Sequence, residues 1–368
     1  RNSAATRINK DGLIETVASG VSRLNYPLID GVVKGCPSHL LEPQRTNLLT
    51  YSSGFVTDWN NTNITINSNS IISPDGTLNA TKLTPNTTSG GHYLDRGGVS
   101  VSNNALSSIF AKKGEYKRFA IRSYFTGANA IFDVNEGIIV SSSSVTAKIE
   151  DYGNGWYRCS LNETLNANYG YGIFVMEDDS NNASDTYSGN GIDGMYFYGA
   201  SLEIGSFISS YIPTTNSAVT RSAETANGAG DASTFNDSEG VLMAEISSDN
   251  TSVGWIGLGS NSANRILLGG NGTYIRSYNN IGGTIIDYTS SIIVSDNNKI
   301  AIKYKSGDTD IYINGFKLFE SNSAFSVSSP FDEIQFKNLA GETQNFYGST
   351  KQIQYFDSAL NDSDLETL

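Results

Sequence analysis

The chain is poor in the residues that carry most enzyme chemistry. Its 368 residues include two cysteines and two histidines. Cys36 and Cys159 are too few for a disulfide scaffold. Cys159 follows Trp156-Tyr157-Arg158 in a strand-like run and reads as a buried free thiol. The alternative is a Cys36–Cys159 bridge, which would suit an oxidising compartment. His39 and His92 stand apart, one in a proline-bounded arm and one in a glycine-rich turn, so no Ser-His-Asp arrangement can be argued from them. Charge is also scarce, at 17% of residues, and its balance is acidic: 24 Lys and Arg against 37 Asp and Glu, a net charge of -13. That sign repels a nucleic-acid backbone, and Lys112-Lys113 with Lys117-Arg118 make no basic patch to offset it. Nucleic acid is therefore not an expected partner. No apolar run approaches the roughly 18 residues of a membrane span. The chain opens at Arg1 rather than Met, which reads as a processed product.

What is plentiful is Gly, Ser, Thr, Asn and aromatic residues, with 37 Gly, 20 Tyr and 16 Phe. β-branched and aromatic runs broken by turn residues predict an all-β chain. Its length suggests two or three domains. Candidate strands recur from Ile64 to Leu202, separated by Pro74-Asp75-Gly76, Ser89-Gly90-Gly91, Lys113-Gly114-Glu115 and Gly153-Asn154-Gly155. Many short strands at this spacing predict a jelly-roll sandwich. A second series runs from Gly240 to Phe356, with Asn314-Gly315 as its clearest hairpin turn. Met195-Tyr196-Phe197-Tyr198 reads as a strand buried on both faces, and Pro213-Thr214-Thr215-Asn216 after it as a break. The expected organisation is an extended arm over 1–44, one sandwich over 45–220 and another over 221–368. Asp11-Gly12 predicts a hairpin within the arm, and Gly35 to Leu49 is expected to cover a sheet edge of the first domain. Asn361 is an N-cap for a short C-terminal helix.

Three stretches carry a resemblance: Leu40-Leu41-Glu42-Pro43-Gln44-Arg45-Thr46-Asn47-Leu48-Leu49, Asn154-Gly155-Trp156-Tyr157-Arg158-Cys159, and Gly199-Ala200-Ser201-Leu202-Glu203 with Ser210-Tyr211-Ile212-Pro213-Thr214. Together they resemble phage tail-fibre or virion-associated proteins and bacterial surface proteins with a carbohydrate-binding-module-like jelly roll. From Gly240 onward, Asp310-Ile311-Tyr312-Ile313-Asn314-Gly315 and Phe356-Asp357-Ser358-Ala359-Leu360-Asn361-Asp362 resemble a concanavalin A-like, laminin-G-like lectin domain. The resemblance implies tandem antiparallel sandwiches in an extracellular appendage or virion. It brings no catalytic residues with it.

Glycosidases need two carboxylates facing one cleft, and no candidate strand places two on one face. The chain is therefore expected not to be an enzyme. Glu203, at a strand end, is expected to accept loop amide hydrogen bonds. Glu177, Asp178, Asp179 and Asp185 form an acidic loop whose oxygens suit Ca²⁺, although EF-hand spacing is absent. For a glycan surface, the strand from Arg118 to Phe125 alternates. Phe119, Ile121 and Phe125 would face inward, with Arg118, Arg122 and Tyr124 outward. Tyr169 and Tyr171 share a face of another strand and join the candidate glycan contacts, whereas Trp59, Trp156 and Trp255 read as core.

The first functional reading is a structural subunit of an extracellular filament or fibre, homo-oligomeric or polymeric, with adhesion to cell-surface glycan. A non-polymerising carbohydrate-binding adhesin and a fragment of a polysaccharide-active enzyme are the alternatives. Because buried amides need partners, the first strand, with Ala5, Arg7, Ile8 and Leu13, pairs either with its own domain or with a neighbouring subunit as an assembly arm.

Overall fold

A computed structural model describes every residue except 166, 272–273, 293–296 and 342–343. The chain is all-β, and the one α-helix among the described residues is Asp362–Leu365, capped by the Asn361 side chain accepting from the Asp364 N–H. Among the described residues, no helix is long and apolar enough to cross a membrane. Two compact units emerge. One comprises Asn2–Pro37 with Gln44–Ser222; the other comprises Arg1, Ser38–Pro43 and Ala223–Leu368.

In the first unit, two six-stranded antiparallel sheets face each other. One runs Thr146–Asp151, Trp156–Thr164, Asn104–Lys112, Met195–Ile204, Leu78–Pro85, Ile64–Ile72. The other runs Ile138–Ser143, Asn129–Asp133, Arg118–Ser123, Ala167–Met176, Tyr93–Val101, Asn60–Thr62. The chain crosses between sheets repeatedly, so strands adjacent in sequence are often not neighbours in a sheet. Alternation along each strand sends one set of side chains into the gap. Phe119, Ile121, Phe132, Ile173 and Leu94 from one sheet meet Leu83, Ile109, Leu161, Phe197 and Leu202 from the other, all essentially unexposed. Cys159 lies in this core, unbridged, with burial pushing its thiol pKa up, while Cys36 is exposed.

Two of the resembling stretches owe their composition to how this unit closes. The Asn47 carboxamide donates to the carbonyls of Ala200 (3.1 Å) and Ile212 (2.9 Å). Its oxygen accepts from the N–H groups of Leu49 and Leu202, both at 3.1 Å. One side chain thus ties the segments at 44–49, 199–203 and 210–214 together, with every polar atom used. Thr214 is buried and donates to the Leu49 carbonyl (2.6 Å), and Arg45–Asn47 pairs with Val219–Arg221. The polar stretch after Pro213 is therefore part of the first unit and not a linker.

The N-terminal hairpin forms as Asp11-Gly12 suggests, with Ala5–Ile8 against Ile14–Val17 and Gly12 at φ +79°. The outer edge of its first strand is also occupied within the same unit. Ile8 N–H donates to Asn25 Oδ1 and its carbonyl accepts from Tyr26 N–H. Ala5 is buried, Ile8 packs beside Ile14 on Phe110, Trp156, Tyr198 and Tyr211, and Arg7 pairs with Glu15 at 2.9 Å. Leu13 is half-buried, against the turn at Gly76. The amides that motivated a donor arm are thus satisfied inside one chain.

The second unit pairs Phe316–Ser321, Thr309–Ile313, Asn298–Lys305, Glu239–Ser247 and Gly348–Phe356 in one sheet. Thr284–Thr289, Tyr274–Ile281, Asn264–Asn271, Gly254–Asn261 and Glu333–Gln335 form the facing one. Ile256, Leu258, Ile266, Leu268, Ile300, Ile302 and Ile311 fill the space between. Asn314 and Gly315 have φ of +53° and +82°, the doubly positive pattern of a tight hairpin. The arm behaves differently from expectation here. Ser38–Leu41 adds to this second sandwich, pairing with Gly348–Thr350 and placing Leu41 in its core. The side chain accounts for it: Leu41, 3% exposed, is buried among the apolar residues of that core.

Candidate functional site

The outer face of the sheet that contains Arg118–Ser123 carries Arg118 and Arg122, and it divides into a covered end and an open end. At the covered end, Tyr93, Ala120, Ile131, Phe174 and Met176 would be wet but for the 177–187 loop, whose Ala183 packs on them. Arg118 clamps that loop. It donates to Asp133 (3.2 Å), to the Ser180 carbonyl (3.2 Å) and to Asn181 (3.2 Å). Asp178 accepts from Lys117 N–H (2.9 Å), and Asp185 accepts from the Ser180 hydroxyl. Two of the four loop acids, Asp178 and Asp185, are thus spent on holding a cover. Among the described residues, no group of three or more His, Cys, Asp or Glu side chains is placed to hold a metal ion. The acidic loop is not assembled into a calcium cage among the described residues, and Asp178 and Asp185 take an amide and a hydroxyl donor instead.

At the open end, strand register builds a row across the face: Asn60, Asp95, Gly172, Arg122, Asn129. Asn60 donates to Asp95 at 2.9 Å. Gly172 and its neighbour along the strand, Gly170, are buried beneath aromatic side chains. A methyl group at Gly172 would meet the Phe174 ring at 2.6 Å and the Arg122 carbonyl at 3.0 Å. At Gly170 it would meet Tyr124 Cβ at 2.7 Å and the Phe125 ring at 3.2 Å. The strand ends at Ser123, so Tyr124 and Phe125 stand on the turn above these glycines. Both are more than half exposed, edge to face at 5.9 Å. Phe125 does not face inward as its alternation suggests, because the ladder has already stopped.

Arg122 is the group that dominates this end. Its guanidinium lies 5.4 Å over the ring of Phe174, which stacks at 4.5 Å on Tyr93. Its Nε is out of contact with solvent and has no acceptor, and no ion pair or hydrogen bond engages the guanidinium among the described residues. A cation held over a ring and left without an anion is an unfilled valence on this face.

Tyr169 and Tyr171 do not contribute to the surface. Both are unexposed core residues, with the Ser107 hydroxyl donating to Tyr169 (2.9 Å) and Tyr171 donating to the Ser108 carbonyl (2.9 Å). Burial pushes both phenol pKa values up. They share a face as expected, but it is the inner one, because Phe174 and the two glycines occupy the outer positions. Sequence reasoning missed Asp95, Asn60 and Asn129, which only cross-strand register aligns with Arg122. It placed Glu203 correctly as an acceptor: the buried carboxylate takes the Ser209 hydroxyl (2.7 Å) and the Ser201 hydroxyl (3.1 Å). His92 is buried, with its ring nitrogens 2.8 and 3.0 Å from the carbonyls of Asn63 and Tyr187. His39 packs edge-on to Phe336.

No family model and no curated protein matches the chain. Among solved structures it is similar to the native heptameric SAP-like pentraxin from Limulus polyphemus, at 13% identity and a TM-score of 0.30, over 35% of this chain and 68% of that one. It is also similar to mouse laminin alpha1 chain domains LG4-5, at 8% identity and a TM-score of 0.28, over 75% of this chain and 90% of that one. The assignment of two antiparallel sandwiches rests on the sheet pairing described above.

Proposed function

We propose that the chain is a non-enzymatic, glycan-adhering structural subunit of an extracellular fibre or filament, and that the open face around Arg122 is its glycan contact. The observation that carries this reading is the unpartnered Arg122 guanidinium. It lies on the outer face of the sheet, between the Asn60–Asp95 amide–carboxylate pair and the two exposed rings of Tyr124 and Phe125. A sugar supplies what those groups lack: hydroxyl oxygens for Arg122 and Asn129, hydroxyl protons for Asp95, and an apolar ring face for Phe125. Binding without turnover is favoured by the carboxylate layout. Asp95 and Asp133 lie on this face, but four residues and three strands separate their positions in the register. At strand spacings that is about 20 Å, against about 5–10 Å for a glycosidase pair.

A glycan array probed with the full chain and with Arg122→Gln tests the reading, followed by a reducing-end assay on each ligand found. Binding lost in the variant, without product from the native chain, is the expected result. Turnover, or binding indifferent to Arg122, refutes it. Negative-stain microscopy of the native material tests the fibre: filaments support it, and isolated particles favour the non-polymerising adhesin.

A further inference from the structure

The second unit carries a separate cavity of about 170 Å³ on the outer face of its five-stranded sheet, lined by Trp255, Arg265, Leu267, Arg276, Tyr278, Asn338 and Gln344. Alternation explains its walls. Ile256, Ile266, Leu268 and Ile275 point into the core, so Trp255, Arg265, Leu267 and Arg276 point out. Each guanidinium covers a ring, Arg265 over Tyr278 at 5.2 Å and Arg276 over Trp255 at 5.6 Å.

The lining is rich in donors and has little left to accept with. Gln344 Oε1 already accepts from the Trp255 indole (3.2 Å) and from Asn338 Nδ2 (2.8 Å). Asn338 Oδ1 accepts from Ala340 N–H, and Asp287 accepts from Arg276 through Nε (2.8 Å) and through a second nitrogen. Arg265 spends one N–H on the Asn338 carbonyl. Its Nε is sealed from solvent without an acceptor. A guanidinium has five N–H donors, so most of Arg265 remains unmatched. Arg276 is neutralised by Asp287, which leaves Arg265 as the lining cation without a carboxylate among the described residues.

We infer that this cavity binds the oxyanion of an acidic sugar, a carboxylate or a sulfate ester, with Arg265 as its counter-ion and Arg276 and Gln344 donating alongside. A planar fork of N–H groups matches a carboxylate or sulfate edge. The cavity has the liquid volume of about five or six waters, more than a bare ion fills and close to what one sugar ring needs. This site is independent of the Arg122 face, since it lies in the other unit and asks for a charged ligand.

The test titrates the full chain with glucuronate, glucuronamide, glucose 6-sulfate and inorganic sulfate, following the indole N–H resonances. Trp255 is the one tryptophan of the second unit, so its resonance reports this cavity and not the Arg122 face. Glucuronate or glucose 6-sulfate should shift it. Glucuronamide, nearly isosteric but uncharged, should bind about tenfold to a hundredfold more weakly, the range of a charge-assisted hydrogen bond. Arg265→Gln should lose affinity by a similar factor. A Trp255 resonance unmoved by every probe overturns the inference, as does glucuronamide binding as tightly as glucuronate. Sulfate alone matching glucose 6-sulfate would reduce the site to an ion site and overturn the sugar assignment. The comparison of glucuronate with its amide uses the native chain, so it stands whether or not the variant folds.

Discussion

Replacing Arg122 with methionine separates a ligand-binding role from a structural one. In the folded chain the Arg122 Nε is buried without an acceptor, and the guanidinium rests on Phe174 at 5.4 Å. A buried donor without a partner costs about 1–3 kcal/mol, while a cation–π contact returns about 0.5–1 kcal/mol. Methionine keeps the unbranched stem over the Phe174 ring, and its sulfur offsets roughly what the cation gave. The variant should therefore be more stable than the native chain, by about 1–3 kcal/mol. For a unit of this size that corresponds to about 2–12 °C in Tm. Scanning calorimetry that resolves the first unit's transition measures it, alongside binding to whichever glycan the array identifies. A stabilised variant that no longer binds is the outcome expected of a residue kept for its ligand. A fall in Tm of several degrees would mean that Arg122 holds the sheet together, and the argument from its missing partner would be wrong.

Three other perturbations have definite expected outcomes. Tyr171→Phe removes the hydrogen bond to the buried Ser108 carbonyl and should cost about 1–3 kcal/mol in urea denaturation, with glycan affinity unchanged. Leu41→Ala opens a cavity in the second sandwich and should lower its stability by about 2–5 kcal/mol, leaving the first unit's transition in place. Acid should also weaken the first unit. Burial would raise the Asp133 pKa, but the backbone N–H of Glu136, Arg118, the backbone N–H of Asn135 and the charge of Lys117 outweigh it, so the folded pKa lies below 3.8. A depressed carboxylate pKa gives stability that is present above the unfolded value and lost as pH falls through the folded one. Tm should therefore drop as pH falls below about 4, and Asp133→Asn should flatten that drop.

The sequence carried the fold well because strand period and turn chemistry are local. Asp11-Gly12, Asn314-Gly315 and the Asn361 cap each act within a few residues and appear as expected. Inward and outward sense was legible where alternation ran uninterrupted, as at Phe119 and Ile121. It failed at Phe125, beyond the strand end, and at Tyr169 and Tyr171, where Gly170 and Gly172 gave no sign that the tyrosines held the inner face. Non-local features were not legible. The register joining Asp95 to Arg122 spans three strands that are far apart in sequence. The acidic loop had the composition of a calcium site, but Arg118 and Lys117 make it a cover.

The strand Ser38–Leu41 has a further consequence during synthesis. It emerges from the ribosome before its partner, Gly348–Thr350, which follows roughly 300 residues later. At typical elongation rates that interval is about 15–60 s, during which an apolar strand waits with its edge bare. The nascent chain is then most exposed to chaperones and to strand exchange with other copies. The same topology sets the rule for dissection: a fragment beginning at Ala223 lacks one of its own strands. It should be produced with residues 38–43 supplied, as a fusion or an added peptide, if it is to stay soluble.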